Sequence, residues 1–183
     1  MLALWILLGI IGVVLLYGLY AYNRLVRTRN RVDNAWSQID VQLRRRYDLI
    51  PNLVEAVKGY ASHEREVFDH VAEARAEAER AGTVGDQAQA ENQLTRGLRR
   101  LIAVAEAYPQ LKASENFLAL QEELTATESK IAYARQFYND QVAALNTYIQ
   151  SFPSALVARL GNFPPRQFFD IEDPVRGPVS VDI

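Results

Sequence analysis

Cysteine is absent from the 183 residues, which excludes a disulfide framework, a thiolate metal site and a cysteine nucleophile. Histidine is nearly absent: the only two are His63 and His70, too little for a His-rich metal site or a Ser-His-Asp triad. No glycine-rich phosphate loop occurs, because the Gly82 and Gly85 pair lacks the Lys and Ser/Thr of a P-loop. An excess of positive charge is missing too. The formal net charge is −2, whereas a dedicated nucleic-acid binder is usually strongly basic. Charge is also absent from one end. Residues 1–23 carry none, so all 20 Lys and Arg and all 22 Asp and Glu lie from Arg24 onward. These absences describe a chain that is expected not to be an enzyme, to use no cofactor, and to bind no nucleic acid.

What the charge-free end does contain is LALWILLGIIGVVLLYGLYAY, Leu2–Tyr22. As a helix rising about 1.5 Å per residue, it matches the ~30 Å hydrocarbon thickness of a bilayer. Trp5 at one end and Tyr17, Tyr20 and Tyr22 at the other are placed as interfacial aromatic anchors. A cleaved signal peptide would have a positive leading region and small residues before the cut; here Met1 meets apolar residues directly and Ala21 is flanked by tyrosines. Residues 1–23 therefore read as a retained single-pass anchor. Arg24, Arg27, Arg29 and Arg31 follow the span immediately, and the positive-inside rule then puts the N-terminus outside and the remainder in the cytoplasm. The expected location is the bacterial cytoplasmic (inner) membrane.

From Arg24 onward the apolar residues follow helical spacing. Val32, Ile39, Leu53 and Tyr60 share one seven-residue track interrupted at Arg46, and Trp36, Leu43, Ile50 and Val57 form the adjacent one. Gly59 and Ser62 mark a helix stop and a new N-cap, and Gly82–Asp86 a loop ending in a cap at Asp86. Tyr108-Pro109 closes the third helix and Ser114 caps the fourth. That fourth helix carries Phe117, Leu124, Ile131, Tyr138, Leu145 and Phe152 at intervals of seven, and Phe152-Pro153 ends it. A short helix from Pro153 to Leu160 precedes Gly161. Pro51 is either a kink or a break, since an interior proline costs about 3 kcal/mol. With the turn at 59–62, helices of about 55, 30, 35 and 58 Å nearly cancel in an up-and-down path, whereas a turn at Pro51 leaves the fourth overshooting by roughly 30 Å. The kink is favoured. The predicted fold is all-α, with the transmembrane helix continuing into an antiparallel up-and-down four-helix bundle of long, coiled-coil-like helices. The anchor occupies residues 1–23, the bundle 24–161, and an extended or partly disordered tail 162–183.

Two blocks carry a resemblance. The first is YNRLVRTRNRVDNAWSQIDVQLRRRYDLIPNLVEAVKGYASHE and the second is EAYPQLKASENFLALQEELTATESKIAYARQFYNDQVAALNTYIQSFPS. Together they cover most of residues 22–160, and the chain is identified by them as similar to the LemA family. The resemblance implies a single N-terminal anchor followed by a cytoplasmic helical bundle, and it implies no agreed biochemical activity. One branch of that family includes a protein of the magnetosome membrane, which points toward membrane organisation.

The remaining constellations are weighed by their chemistry. Seven arginines between Arg24 and Arg46 face only Asp33 and Asp40. The first four lie within about one Debye length of the bilayer, where each gains roughly 1 kcal/mol from anionic lipid or simply fixes topology. Arg46, on the core stripe, is expected to pair with Glu122, Glu123 or Glu128, or else to enter an interface with a second chain. His63, Glu66 and His70, with Glu73 behind them, fall on one helical face and could ligate a metal, but neither histidine follows a Glu by three residues, so a solvated face is preferred. Asn52, Asn116, Asn139 and Asn146 are expected inside the bundle, setting register or partner choice. Phe163, Phe168 and Phe169 in the tail either dip into the membrane interface or belong to a strap on the bundle. The functional expectation is a non-enzymatic scaffold that self-assembles at the membrane as a homo-oligomer. The alternatives are a monomeric adaptor for an unidentified membrane protein such as an enzyme or protease, and a metal enzyme on the His63/Glu66/His70 face.

Overall fold

The computed structural model describes residues 1–170. Among them every regular element is helical: α1 (Leu2–Lys58), α2 (Arg65–Arg80), α3 (Val84–Glu106), α4 (Pro109–Lys112), α5 (Glu115–Gln150) and α6 (Ser154–Leu160). Pro51 lies inside α1 and breaks nothing; its ring is on the exposed side, while Leu49, Ile50 and Leu53 around it are buried. At about 1.5–3 kcal/mol for each large aliphatic side chain buried, these three outweigh the ~3 kcal/mol of an interior proline.

Local chemistry places the helix ends. α1 stops at Lys58, and the turn that follows is held by Ala61 N–H donating to Val57 O (2.9 Å) and Glu64 N–H to Ala61 O (3.0 Å). α2 therefore starts at Arg65, three residues beyond the expected cap at Ser62, which sits exposed in the turn. Thr83, not Asp86, caps α3. Its Oγ1 accepts from Asp86 N–H (3.1 Å), an N-cap bond, and donates to Asp86 Oδ2 (2.7 Å). Residues 84–86 thus belong to the helix. α4 is a single turn inserted before α5, opened by Pro109. α5 ends at Gln150, two residues before the expected stop at Phe152, and α6 is Ser154–Leu160 with Gly161 at its C-cap.

The chain divides into two compact units. One comprises Met1–Ile39 with Ala134–Gln167; the other comprises Asp40–Tyr133 with the described residues from Phe168 onward. In the first, large apolar side chains from Leu2 to Leu19 are exposed on all faces of α1, and α1 is the one described helix long and apolar enough to cross a membrane. Burial begins at Ala21 and Leu25 and continues at Val32, Ala35 and Ile39, with Tyr138, Val142 and Leu145 of α5 also buried. The Trp36 and Tyr138 rings meet edge-on, 5.3 Å apart. The core of the second unit includes Leu43, Ile50, Leu53 and Val57 of α1, Leu94, Leu98 and Leu101 of α3, and Phe117, Leu124 and Ile131 of α5. Here α2 packs on α3. Gly97 permits the close approach, since a Cβ there would lie 3.3 Å from Val71 Cγ2. Two residues on the expected tracks leave the core. Tyr60 follows the end of α1 and Phe152 follows the end of α5, and both are exposed, Phe152 at 83%.

Candidate functional site

The second unit holds a closed polar cluster in its core. Arg46 is 1% exposed and Glu91, from α3, is 0% exposed. The Arg46 guanidinium pairs with the Glu91 carboxylate and, through Nη1, with Glu128 Oε1 of α5 at 2.7 Å. Tyr47 O–H donates to Glu91 Oε1. Gln87 Nε2 donates to the same Oε1 (2.9 Å), to the Tyr47 hydroxyl (2.9 Å) and to Ala78 O (3.1 Å). Burial pushes the Tyr47 phenol up to about 12, against the downward pull of Arg46 and the Gln87 hydrogen bond. Tyr47 is thus a neutral donor across the physiological range. Glu91 accepts from three groups while Glu128 stays partly in water, 40% exposed. Arg46 Nε is buried and makes no hydrogen bond among the described residues. Both carboxylates and the phenol are engaged with partners inside the cluster, so what it does is join α1, α3 and α5, with a carbonyl of α2 tied in through Gln87.

Glu128 is one of the three carboxylates expected for Arg46; Glu91 is not among them. Glu123 pairs instead with Arg45 at 2.8 Å on the surface, a class of pair contributing about 0–1 kcal/mol. Glu91 nevertheless had a readable signal. Gln87, Glu91, Leu94, Leu98, Leu101 and Ala105 alternate steps of four and three, and all six are buried.

The histidine face does not form. His63 precedes α2 in the turn and is exposed, so it shares no helical face with Glu66 and His70. His70 instead lies against α3, its Cδ2 3.6 Å from where a Gly97 Cβ would be. Among the described residues no group of three or more His, Asp or Glu is arranged to hold a metal ion.

The four asparagines separate. Asn52 and Asn116 are exposed and line a shallow cleft with Glu55, Ala56 and Leu120, so they do not set register from inside a core. Asn139 is half-buried. Asn146 grips the chain beyond α6. Its Nδ2 donates to Arg166 O and its Oδ1 accepts from Arg166 N–H, both at 2.9 Å. Tyr138 O–H donates to Gln167 O at 2.9 Å, and the Arg166 guanidinium pairs with Asp33 at 2.8 Å. Burial raises the Tyr138 phenol pKa, Arg166 opposing and Asp33 adding to it. Residues 163–170 therefore form a pinned, non-helical strap.

The strap corrects the interfacial reading of the tail. Phe163 and Phe169 are buried at 7% and 0% exposure, and only Phe168 is half exposed. A turn brings Phe163 back: Asn162 takes φ 52°, Phe163 N–H donates to Ala158 O (3.0 Å), and its ring meets Tyr22 edge-on at 5.6 Å. The expectation for residues 171–183 falls outside the described residues.

Of the anchors, Trp5, Tyr20 and Tyr22 are exposed and Tyr17 is half-buried. The four arginines that follow the apolar run are exposed but divide into two groups. Arg29 stacks over the Phe163 ring at 5.3 Å. Arg24, Arg27 and Arg31 face a cleft on the α5 side, Arg24 lying 4.7 Å over the Tyr148 ring.

Comparison with known proteins follows the same blocks. The sequence model of the LemA family matches residues 35–183. Magnetosome protein MamQ of Magnetospirillum gryphiswaldense is 25% identical over 177 residues, covering 82% of this chain and 65% of its own length. Magnetosome protein MamQ 2 of Paramagnetospirillum magneticum gives the same figures. Protein LemA of Metamycoplasma hominis is 26% identical over 162 residues, with 85% and 72% covered. This chain thus spans just under two thirds of the length of the MamQ relatives.

Proposed function

We propose, from the premise that the chain belongs to the LemA family, that it acts by contact and not by chemistry: a single-pass membrane protein whose helical module self-assembles at the bilayer. In this reading Leu2–Tyr22 is the anchor in the bacterial cytoplasmic membrane, the N-terminus lies outside, and the module is cytoplasmic. α1, α2, α3 and α5 make an antiparallel up-and-down bundle. The observation that supports it most is the character of α1. It is one helix from Leu2 to Lys58, carrying a fully exposed apolar run and then, without a break, a buried stripe. An apolar surface on all sides of a helix is stable only in lipid or protein. The buried ionisable groups of the second unit are consumed by one another, which supports a structural role for them. The magnetosome proteins among the relatives favour a task in membrane organisation.

Light scattering and electron microscopy of the full chain in native nanodiscs test the reading. A closed or sheet-like homo-oligomer is expected; a monomer overturns self-assembly and turns attention to an adaptor role for another membrane protein. Topology is checked separately with single cysteines, which the native chain lacks. A cysteine at Gly82, where nothing lies within 4 Å of an added Cβ, should resist a membrane-impermeant thiol reagent in intact cells, while one at Leu2 should react. The reverse pattern overturns the orientation.

A further inference from the structure

The first unit contains a cleft of about 280 Å³ between α1 and α5. Its α1 wall is Tyr20, Arg24, Arg27, Thr28 and Arg31; its α5 wall is Gln141, Ala144 and Tyr148. The spacing is not accidental to the helices: 24, 27 and 31 repeat the offsets of 141, 144 and 148, so one row from each helix faces the same space. Ala144 is the small residue at the middle of its row.

Charge is the informative property. Three guanidinium groups line this volume and no carboxylate does. Several other arginines are matched: Arg44 with Asp40, Arg45 with Glu123, Arg75 with Glu79 and Arg166 with Asp33. Arg24, Arg27 and Arg31 make no such pair among the described residues. Arg24 reaches only the Tyr20 hydroxyl (3.4 Å) and the Tyr148 ring, and Arg27 Nε donates to Asn23 O (3.3 Å). Like charges gathered in a cleft without counter-charge repel one another, and an anion there removes the repulsion. The donor set is of one kind: planar guanidinium forks that match phosphate oxygens in pairs, with an amide and phenol hydroxyls beside them. The volume is at the small end of the ~300–1,000 Å³ of small-molecule pockets, suited to a headgroup and too small for a nucleotide with its base and sugar buried. The position is equally specific. Tyr20, in the last turn of the charge-free run of α1, is part of its lining, so a lipid headgroup can occupy it while its chains remain beside the anchor.

We infer that this cleft is a binding site for the phosphate of an anionic phosphate ester, with a membrane phospholipid headgroup as the source its position offers. The inference rests on the anchored reading of α1. It differs from a diffuse attraction of basic residues to an anionic surface by requiring the α5 wall.

The test uses the full chain in a neutral detergent, with phosphatidylglycerol, phosphatidylcholine and inorganic phosphate as separate probes, read by native mass spectrometry and by titration at low and at about 0.5 M salt, where the Debye length falls to a few ångströms. Phosphatidylglycerol is expected to be retained at high salt and phosphatidylcholine, which carries no net charge, to be lost. R24Q/R27Q/R31Q should weaken retention about a hundredfold. R44Q/R99Q/R100Q, which removes as many charges from residues that do not line the cleft, should change it less than about threefold. Two variants keep all the arginines: A144F fills the cleft and Q141E places a carboxylate in it, and each should weaken retention about tenfold or more, with far-UV circular dichroism reporting that the helices persist. Saturable, high-salt binding of inorganic phosphate without phosphatidylglycerol retention, abolished by the same variants, upholds the phosphate site and identifies a soluble ester as the source. Binding of neither probe overturns it. So does wild-type retention by both A144F and Q141E, which leaves only a basic surface strip. Extraction of the chain from membranes by alkaline carbonate reads the anchor itself: release removes the lipid as source, and the inorganic phosphate arm still decides the cleft.

Discussion

Replacing Glu91 by alanine in the full chain leaves Arg46 buried beside an emptied position and strips Tyr47 and Gln87 of their shared acceptor. Removing one partner of a buried ion pair costs about 3–5 kcal/mol, and each orphaned neutral donor about 1–3 kcal/mol. These terms overlap, because Gln87 keeps Ala78 O and the Tyr47 hydroxyl as acceptors. Arg46 also keeps Glu128, but that carboxylate is 40% exposed and its attraction is screened by water. The expected loss is therefore about 3–5 kcal/mol. Equilibrium urea unfolding in detergent, followed by far-UV circular dichroism, measures it. Glu91→Gln retains an acceptor and loses the charge, so it falls between wild type and Glu91→Ala. The compensated variant R46M/Y47F/E91L removes charge and donor together with the acceptor, and because Arg46 Nε already lacks a partner, it is expected within about 2 kcal/mol of wild type or above it. A Glu91→Ala loss under about 1 kcal/mol, or a triple variant less stable than Glu91→Ala, refutes the claim that an uncompensated buried charge sets the cost.

Three further outcomes follow from the structure. The Tyr47 pKa rises from 10.0 to about 12 on folding, so its contribution of about 2–3 kcal/mol is intact below pH 10 and lost as pH climbs from 10 through 12; Tyr47→Phe should flatten that limb of the pH–stability curve. Gly97→Ala puts a methyl 3.3 Å from Val71 Cγ2 and should cost about 1 kcal/mol by overpacking, whereas in a Val71→Ala background the same change should gain about 1 kcal/mol from helix propensity; equal effects in both backgrounds would refute the contact. Gly161→Ala places a Cβ 2.7 Å from the Phe163 ring, so the Phe163 amide should exchange its hydrogen faster by tenfold or more, since about 1.4 kcal/mol of local stability is a factor of ten.

Periodicity made most of the core legible. Val32, Ile39, Leu53, Leu43, Ile50 and Val57 are all buried where two seven-residue tracks put them, because a helix repeats its face whatever it packs against. The same rule misplaced Tyr60 and Phe152, for periodicity carries no information about where a helix stops; the turn after Lys58 and the end of α5 at Gln150 override it. Arg46 was legible as an interruption of a track, and Glu91 is the matching interruption of another, but pairing the two requires knowing that α3 faces α1. The asparagines show the converse. Nothing local distinguishes Asn52 and Asn116 on the surface from Asn146 gripping the strap, since residue type alone does not say which partner arrives from a distant part of the chain. The histidines were misread for a smaller reason: a helix start displaced by two residues removes His63 from the face on which it was counted.

The division of the first unit has a consequence for how the molecule is made. Its α1 stripe lies within Met1–Ile39, while the α5 segment and strap that complete it are Ala134–Gln167, with the Arg166–Asp33 pair bridging 133 positions. Contacts of such sequence separation form late. On the ribosome, at about 5–20 residues per second, some 5–20 s pass between the emergence of Ile39 and that of Ala134. By the end of that interval the second unit has all the helices that form its cluster, while Leu25 and Val32 still await the α5 segment of their own unit. The order of synthesis thus leaves an apolar edge of the first unit uncovered until its own α5 segment has been made.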